Sequence, residues 1–157
     1  MEEEKFQIDN DAQNYVNDPQ IELQWAMKAF QHAEIHYNLL CAIDSKMLKL
    51  TKIDETIYAE FRQHFNELPV DKIDVDHLKS AESKEKWRPF CESYKEKVED
   101  YNMGTLLRID AYGDYNEENT TLVPRIQFYA IEIARNREGH NSAIKENFKK
   151  SSAQVEK

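Results

Sequence analysis

Glycine is scarce in this chain. Only Gly104, Gly113 and Gly139 occur among 157 residues, where average usage would supply about 11. Glycine frees the backbone for phosphate-cradling loops and tight hairpins. Its scarcity argues for helices and against nucleotide-binding folds. The sequence signatures agree: no GxxxxGKS/T, GxGxxG or GxSxG occurs, and there is no CxxC pair. A dinucleotide or S-adenosylmethionine site of the common α/β kind needs a strand, a glycine-rich turn and a helix. No stretch offers that order, and no cofactor is expected.

Cysteine is nearly absent too. Cys41 and Cys91 are too few for a disulfide framework. The opening MEEEKFQIDND lacks the basic-then-apolar order of an export signal, so both are expected as reduced thiols in the cytoplasm. No apolar run reaches the ~18 residues that a spanning helix needs. Basic residues are outnumbered, 21 to 30, for a formal charge of −9. Duplex nucleic acid and anionic membranes both select basic surfaces. Neither nucleic acid nor membrane is therefore an expected direct partner.

What is present suits one folded domain. The chain is 40% hydrophobic and 11% aromatic, enough large apolar side chains to offset ordering entropy. Residues 1–17 read as a mobile acidic arm, 18–139 as the folded body and 140–157 as a polar, frayed tail.

Asp18-Pro19 is a helix start, and the first helix should run to about Ile43. Ala26, Ala29, Phe30, Ala33, Tyr37, Leu40 and Cys41 share one face, widened by Ile21, Trp25 and Leu39. A sector that wide predicts a central helix packed on several sides. Thr51-Lys52-Ile53-Asp54 resembles a capping box ahead of a second helix with Ile57, Tyr58, Phe61 and Phe65 on one face, stopped by Pro69. One helical turn is expected around Asp76-His77-Leu78. A third helix over 81–102 carries Trp87, Phe90, Cys91, Tyr94, Val98 and Tyr101 at helical spacing, kinked or restarted at Pro89.

Residues 105–124 fit either a small β-hairpin or a loop packed on helices. The last helix spans about 124–137, with Gly139 as its stop. The expected fold is mainly α, a single-domain bundle of about four main helices with that hairpin or loop.

Chemistry-bearing candidates are few. His32 and His36 lie one turn apart, but their order is not His-Glu-x-x-His and no third ligand has proper spacing. They read as packing histidines, with no metal expected. Cys41 and Cys91 sit on apolar helix faces, where cysteine behaves as a small hydrophobe. The last helix is unusual because Phe128 and Ile131 lie opposite the face formed by Ile126, Tyr129, Ala130 and Ile133. Complete burial explains that pattern; so does an apolar patch rimmed by Arg108, Arg125, Arg135 and Arg137 for gripping a partner. Under the second explanation Arg108, Phe128, Ile131 and Arg135 are the partner contacts. Under the first, the arginines pair within the chain, with Asp110, Glu132 or Glu138.

Several long segments resemble one family. They are Asn17-Asp18-Pro19-Gln20-Ile21-Glu22 with Trp25-Ala26-Met27; Leu48-Lys49-Leu50-Thr51-Lys52; Glu85-Lys86-Trp87-Arg88-Pro89-Phe90; the run from Val98 to Asp110; and the run from Pro124 to Gly139. Together they resemble the eukaryotic family called polysaccharide biosynthesis domain-containing protein 1, over about 17–140. The resemblance implies a small helical cytoplasmic protein with no catalytic site. It also implies a job as dedicated chaperone of nascent translation elongation factor 1-alpha, engaging the GTPase domain before GTP binds, near the ribosome. An acidic chain suits a basic client, because opposite net charges speed encounter. A polysaccharide-metabolism enzyme and a constitutive subunit of a cytoplasmic complex are the competing readings.

Overall fold

A computed structural model describes residues 18–156. The acidic arm expected over 1–17 lies outside the described residues. Helix α1, Asp18–Ala42, leads into a 3-10 turn, Ser45–Met47, capped by the Asp44 side chain. Helix α2, Asp54–His64, follows. The Asp54 carboxylate accepts from the Leu50 and Thr51 amides at 2.8 and 2.7 Å, while Thr51 Oγ1 accepts from the Ile53 amide at 3.0 Å. The acidic half of the expected capping box is thus realised. The threonine half bonds two residues on instead of three.

The expected single turn is helix α3, Val75–Leu78, capped by Asp74. Helix α4 covers Ala81–Glu92 with Ser80 as its cap and Pro89 inside it. It ends ten residues before the expected 102. Beyond it the Tyr94, Lys95 and Lys97 amides reach back only three residues, to Cys91, Glu92 and Tyr94, and Asp100 takes a left-handed φ of 58°. Tyr94 and Val98 are still buried. Helical spacing of apolar residues survives here in consecutive turns, the Val98 amide still reaching back four residues to the Tyr94 carbonyl at 3.0 Å.

Strands β1, Gly104–Arg108, and β2, Thr120–Pro124, pair antiparallel from Gly104 opposite Pro124 to Arg108 opposite Thr120. The hairpin alternative for 105–124 is therefore the observed one. Its loop holds a 3-10 turn, Glu117–Asn119. The 71–73 segment bridges its far side, through Ile73 N–H to the Ile109 carbonyl and Ala111 N–H to the Asp71 carbonyl, both 2.9 Å. Helix α5, Arg125–Glu138, ends at Gly139, whose φ of 88° favours glycine.

The chain then forms a further helix, α6, Ser142–Glu156, in place of the expected frayed tail. Its Ile144 packs on Leu40 and Cys41 of α1. Ala, Lys and Glu favour helix here, and one buried anchor supplies the tertiary contact that a polar helix needs.

The core surrounds α5, not α1. Ile57 and Phe61 of α2, Phe65, Trp87 and Phe90, the hairpin residues Leu107 and Val123, and Ile126, Phe128, Ala130, Ile131 and Ile133 of α5 form one cluster. The Phe65 and Trp87 rings stack at 4.3 Å, and Phe61 stacks on both at 5.6 Å. Helix α1 lies on the outside, buried mainly through Ala29, Ala33, His36, Leu40 and Cys41. Phe30, expected on its buried face, is 67% exposed. Small alanines let α1 sit close to the hairpin, as in the close approach of Trp25 to Gly104, so the larger Phe30 is left outside that contact.

Candidate functional site

Two features stand out: a charged cluster inside the fold and an apolar stripe outside it. The cluster centres on Glu132 of α5. Its carboxylate accepts from Arg135 Nη1 at 2.9 Å, from Arg108 Nη2 at 3.1 and 3.2 Å, and from Asn141 Nδ2 at 3.0 Å. Arg108 Nη2 also donates to Asn141 Oδ1 at 2.7 Å, Arg108 Nε has no hydrogen-bond partner, and other guanidinium donors go to backbone. Arg135 bonds the Val70, Arg108 and Ile109 carbonyls, and Arg108 bonds the Ala111 and Gly113 carbonyls. All three charged side chains are 0% exposed. The arginines thereby tie together the 70–73 segment, the end of β1, the 109–113 turn and α5.

Burial alone would raise the Glu132 carboxyl, but the Arg108 and Arg135 guanidiniums overcome it and hold the group well below the usual carboxylate range. His36 borders the cluster, with Nε2 3.9 Å from Glu132 Oε1 and Nδ1 2.8 Å from the Tyr115 hydroxyl. Burial pushes His36 down to about 4, against a partial offset from Glu132. Burial also pushes the Tyr115 phenol up. Both groups are therefore neutral near pH 7. Arg108, Glu132 and Arg135 are closed off from solvent, while Tyr115 is half-buried at the edge.

The sequence-predicted contacts lie here. Arg108, Phe128, Ile131 and Arg135 are at most 1% exposed, so in the folded protein none of them meets a partner. The arginines are paired within the chain, with Glu132, and Phe128 and Ile131 belong to the core. Helix α5 is apolar on opposite faces because it is packed all round, and Glu132 hides its charge in the arginine pair. The remaining two arginines of that reading are also engaged: Arg125 Nε bonds Thr105 Oγ1 at 3.2 Å, and Arg137 lies over the Tyr58 ring at 5.6 Å.

Among the described residues no group of three or more His, Cys, Asp or Glu side chains converges on a metal position. His32 and His36 instead set their ring edges against Phe128, at 5.0 and 5.1 Å. Burial pushes Cys91 up to about 12 and Cys41 upward as well, so neither thiol is activated.

The surface feature is on α1. Leu23, Met27 and Phe30 recur at i, i+4 and i+7 and are 61%, 52% and 67% exposed. Phe30 also borders a groove of about 380 Å³, whose other walls include Tyr37, Asp114 and Tyr115. Sequence reasoning missed this stripe by assigning Phe30 to the core and passing over Leu23 and Met27. Their 3- and 4-residue spacing was the available signal.

The fold and these features define a small, mainly helical domain with a hairpin, a charge-locked interior and an apolar helix face that no described residue covers. The chain belongs to the PBDC1 protein family, whose sequence model matches residues 21–146. It is 57% identical over 133 residues to Protein PBDC1 of Homo sapiens, covering 85% of this chain and 57% of that one. It is 56% identical over 137 residues to Protein PBDC1 of Mus musculus, covering 87% and 69%. The chain thus spans less than two thirds of the human relative's length. A Saccharomyces cerevisiae protein solved by solution NMR shares the fold, with a TM-score of 0.75 and 44% identity over 82% of this chain and 91% of that one. Among the described residues no helix is long and apolar enough to cross a membrane.

Proposed function

We propose that this chain is a non-enzymatic, client-specific chaperone of newly made translation elongation factor 1-alpha, acting on its GTPase domain in the cytoplasm beside the ribosome. The observation that carries the reading is the uncovered stripe Leu23–Met27–Phe30. Exposed apolar patches bordered by polar residues mark interaction sites, and an unfolded client offers the apolar segments that such a patch takes up. The formal charge of −9 favours encounter with a basic client. The family resemblance carries the identity of that client.

Release requires differential affinity, since a binder with equal affinity for both client states shifts neither. The chain therefore binds the incompletely folded GTPase domain and binds the mature, nucleotide-loaded form weakly. The test is affinity purification from cells with translation frozen, followed by mass spectrometry. Enrichment of nascent elongation factor 1-alpha, lost on puromycin release, is the expected result. Stoichiometric recovery of a fixed partner, or of metabolic enzymes, without that nascent chain overturns the reading.

A further inference from the structure

The apolar stripe of α1 continues along the helix, and among the described residues only its C-terminal end is covered. Toward the C-terminus Leu40 and Cys41 lie under α6, where Ile144 closes on them with Tyr37 alongside. Toward the N-terminus Leu23, Met27 and Phe30 stay exposed. Where the covered and uncovered parts meet, Phe30, Ala33, Tyr37 and Tyr115 wall the groove, and its charged residues, Glu34 and Asp114, are both acidic. Among the described residues no ion pair engages either carboxylate; the Asp114 carboxylate accepts from the Asn116 side-chain amide, at 3.1 Å.

We propose that this groove and the adjoining stripe receive an unfolded client segment in which an apolar side chain is followed by lysine or arginine. The apolar side chain fills the gap between Phe30 and Tyr37, continuing the row that Ile144 begins, and the cation lies between Glu34 and Asp114. This rests on the chaperone reading and names the kind of segment that it selects. Carboxylates at the groove's edge discriminate by attraction and by repulsion alike. That argues against two other occupants. A second copy docking face to face would bring Glu34 and Asp114 against the same acidic groove. The chain's own opening, MEEEKFQIDND, carries five acidic residues and one lysine, a composition that suits an acidic groove poorly.

The test uses the full chain and two fluorescent model peptides read by anisotropy. One alternates Leu and Phe with Lys; the other replaces every Lys with Glu. The unmodified chain should bind the lysine peptide at least tenfold more tightly. Glu34→Lys with Asp114→Lys should erase or reverse that preference. Leu23→Ser with Phe30→Ser should weaken binding at least tenfold while circular dichroism and melting temperature stay unchanged. Glu96→Lys, an exposed charge reversal outside the groove, should change little. Binding unaffected by the Leu23/Phe30 variant overturns the proposal, as does an equal loss with Glu96→Lys, which signals diffuse charge alone. A concentration-dependent dimer abolished by Phe30→Ser overturns it in favour of a second copy.

Capture of freshly translated elongation factor 1-alpha, measured in parallel, separates the two levels. Peptide selectivity without capture leaves the groove standing and removes the chaperone reading. Capture that both surface variants retain leaves the reading standing and removes the groove.

Discussion

Helix α5 and the N-terminal half of α1 reverse the usual allocation of residues. Helix α5 buries Glu132 and Arg135 completely, whereas α1 leaves Leu23, Met27 and Phe30 mostly in solvent. A buried charge persists when it is paired and hydrogen-bonded, and the guanidinium forks of Arg108 and Arg135 share that work between one carboxylate, the Asn141 side chain and five carbonyls, with Arg108 Nε alone of their donors left over. An exposed apolar row has no such internal account. The contrast separates residues that hold the molecule together from residues free to meet something else, and it does so against the polarity of the side chains.

The contrast breaks most severely at Glu132. Glu132→Gln leaves two buried guanidiniums without a counter-charge and should cost about 3–5 kcal/mol in urea unfolding, a large part of the ~5–15 kcal/mol of a typical domain. Replacing Arg108, Glu132 and Arg135 together with well-packed apolar residues should be far milder, because no orphan charge remains. Acid should act in the same direction as Glu132→Gln. His32 and His36 titrate near 4 in the fold and near 6.5 when unfolded, so between those values the unfolded state binds more protons. Stability should therefore fall as pH drops from 6.5 toward 4. Below about 4.5 the loss continues, since the depressed Glu132 carboxyl gives up its own contribution.

Ile131→Ala, on the same buried helix, should cost about 2–5 kcal/mol through lost burial and a cavity. Gly104→Ala probes the seam between the two regions. An added Cβ would stand 2.8 Å from Trp25 Cζ2, so α1 or the hairpin must shift, at about 1–3 kcal/mol by chemical melting. The smallest effect sharpens the contrast most. Leu23→Ser and Phe30→Ser should each move stability by no more than about 0.5 kcal/mol, while client capture falls.

Much of the fold was legible in local signals. Asp18-Pro19, Pro69 and Gly139 punctuated the chain, and the β-branched Thr120, Thr121 and Val123 left a hairpin open as one alternative. Helical spacing overran at Tyr94 and Val98, because the turns that follow α4 keep the same apolar rhythm. Helix α6 was hidden because a single side chain, Ile144, anchors its described part. The site was less legible for a related reason. Burial depends on which elements meet, and a helical wheel cannot show that Arg108 arrives from a strand to neutralise Glu132. The wheel of α1 gave an apolar sector but not which edge of it the hairpin would take. Phe30 was thus assigned inward, while for Arg108, Phe128, Ile131 and Arg135 burial and an outward partner patch stood as alternatives.

Hydrogen exchange of the full chain, alone and with nucleotide-free, unfolded GTPase domain of elongation factor 1-alpha, tests the division of labour most directly. Helix α5 should exchange slowly in both states, and new protection should appear over residues 20–38 and 112–116. Protection confined to another surface, or faster exchange through α5 as Arg108, Phe128, Ile131 and Arg135 open to the client, would contradict the account.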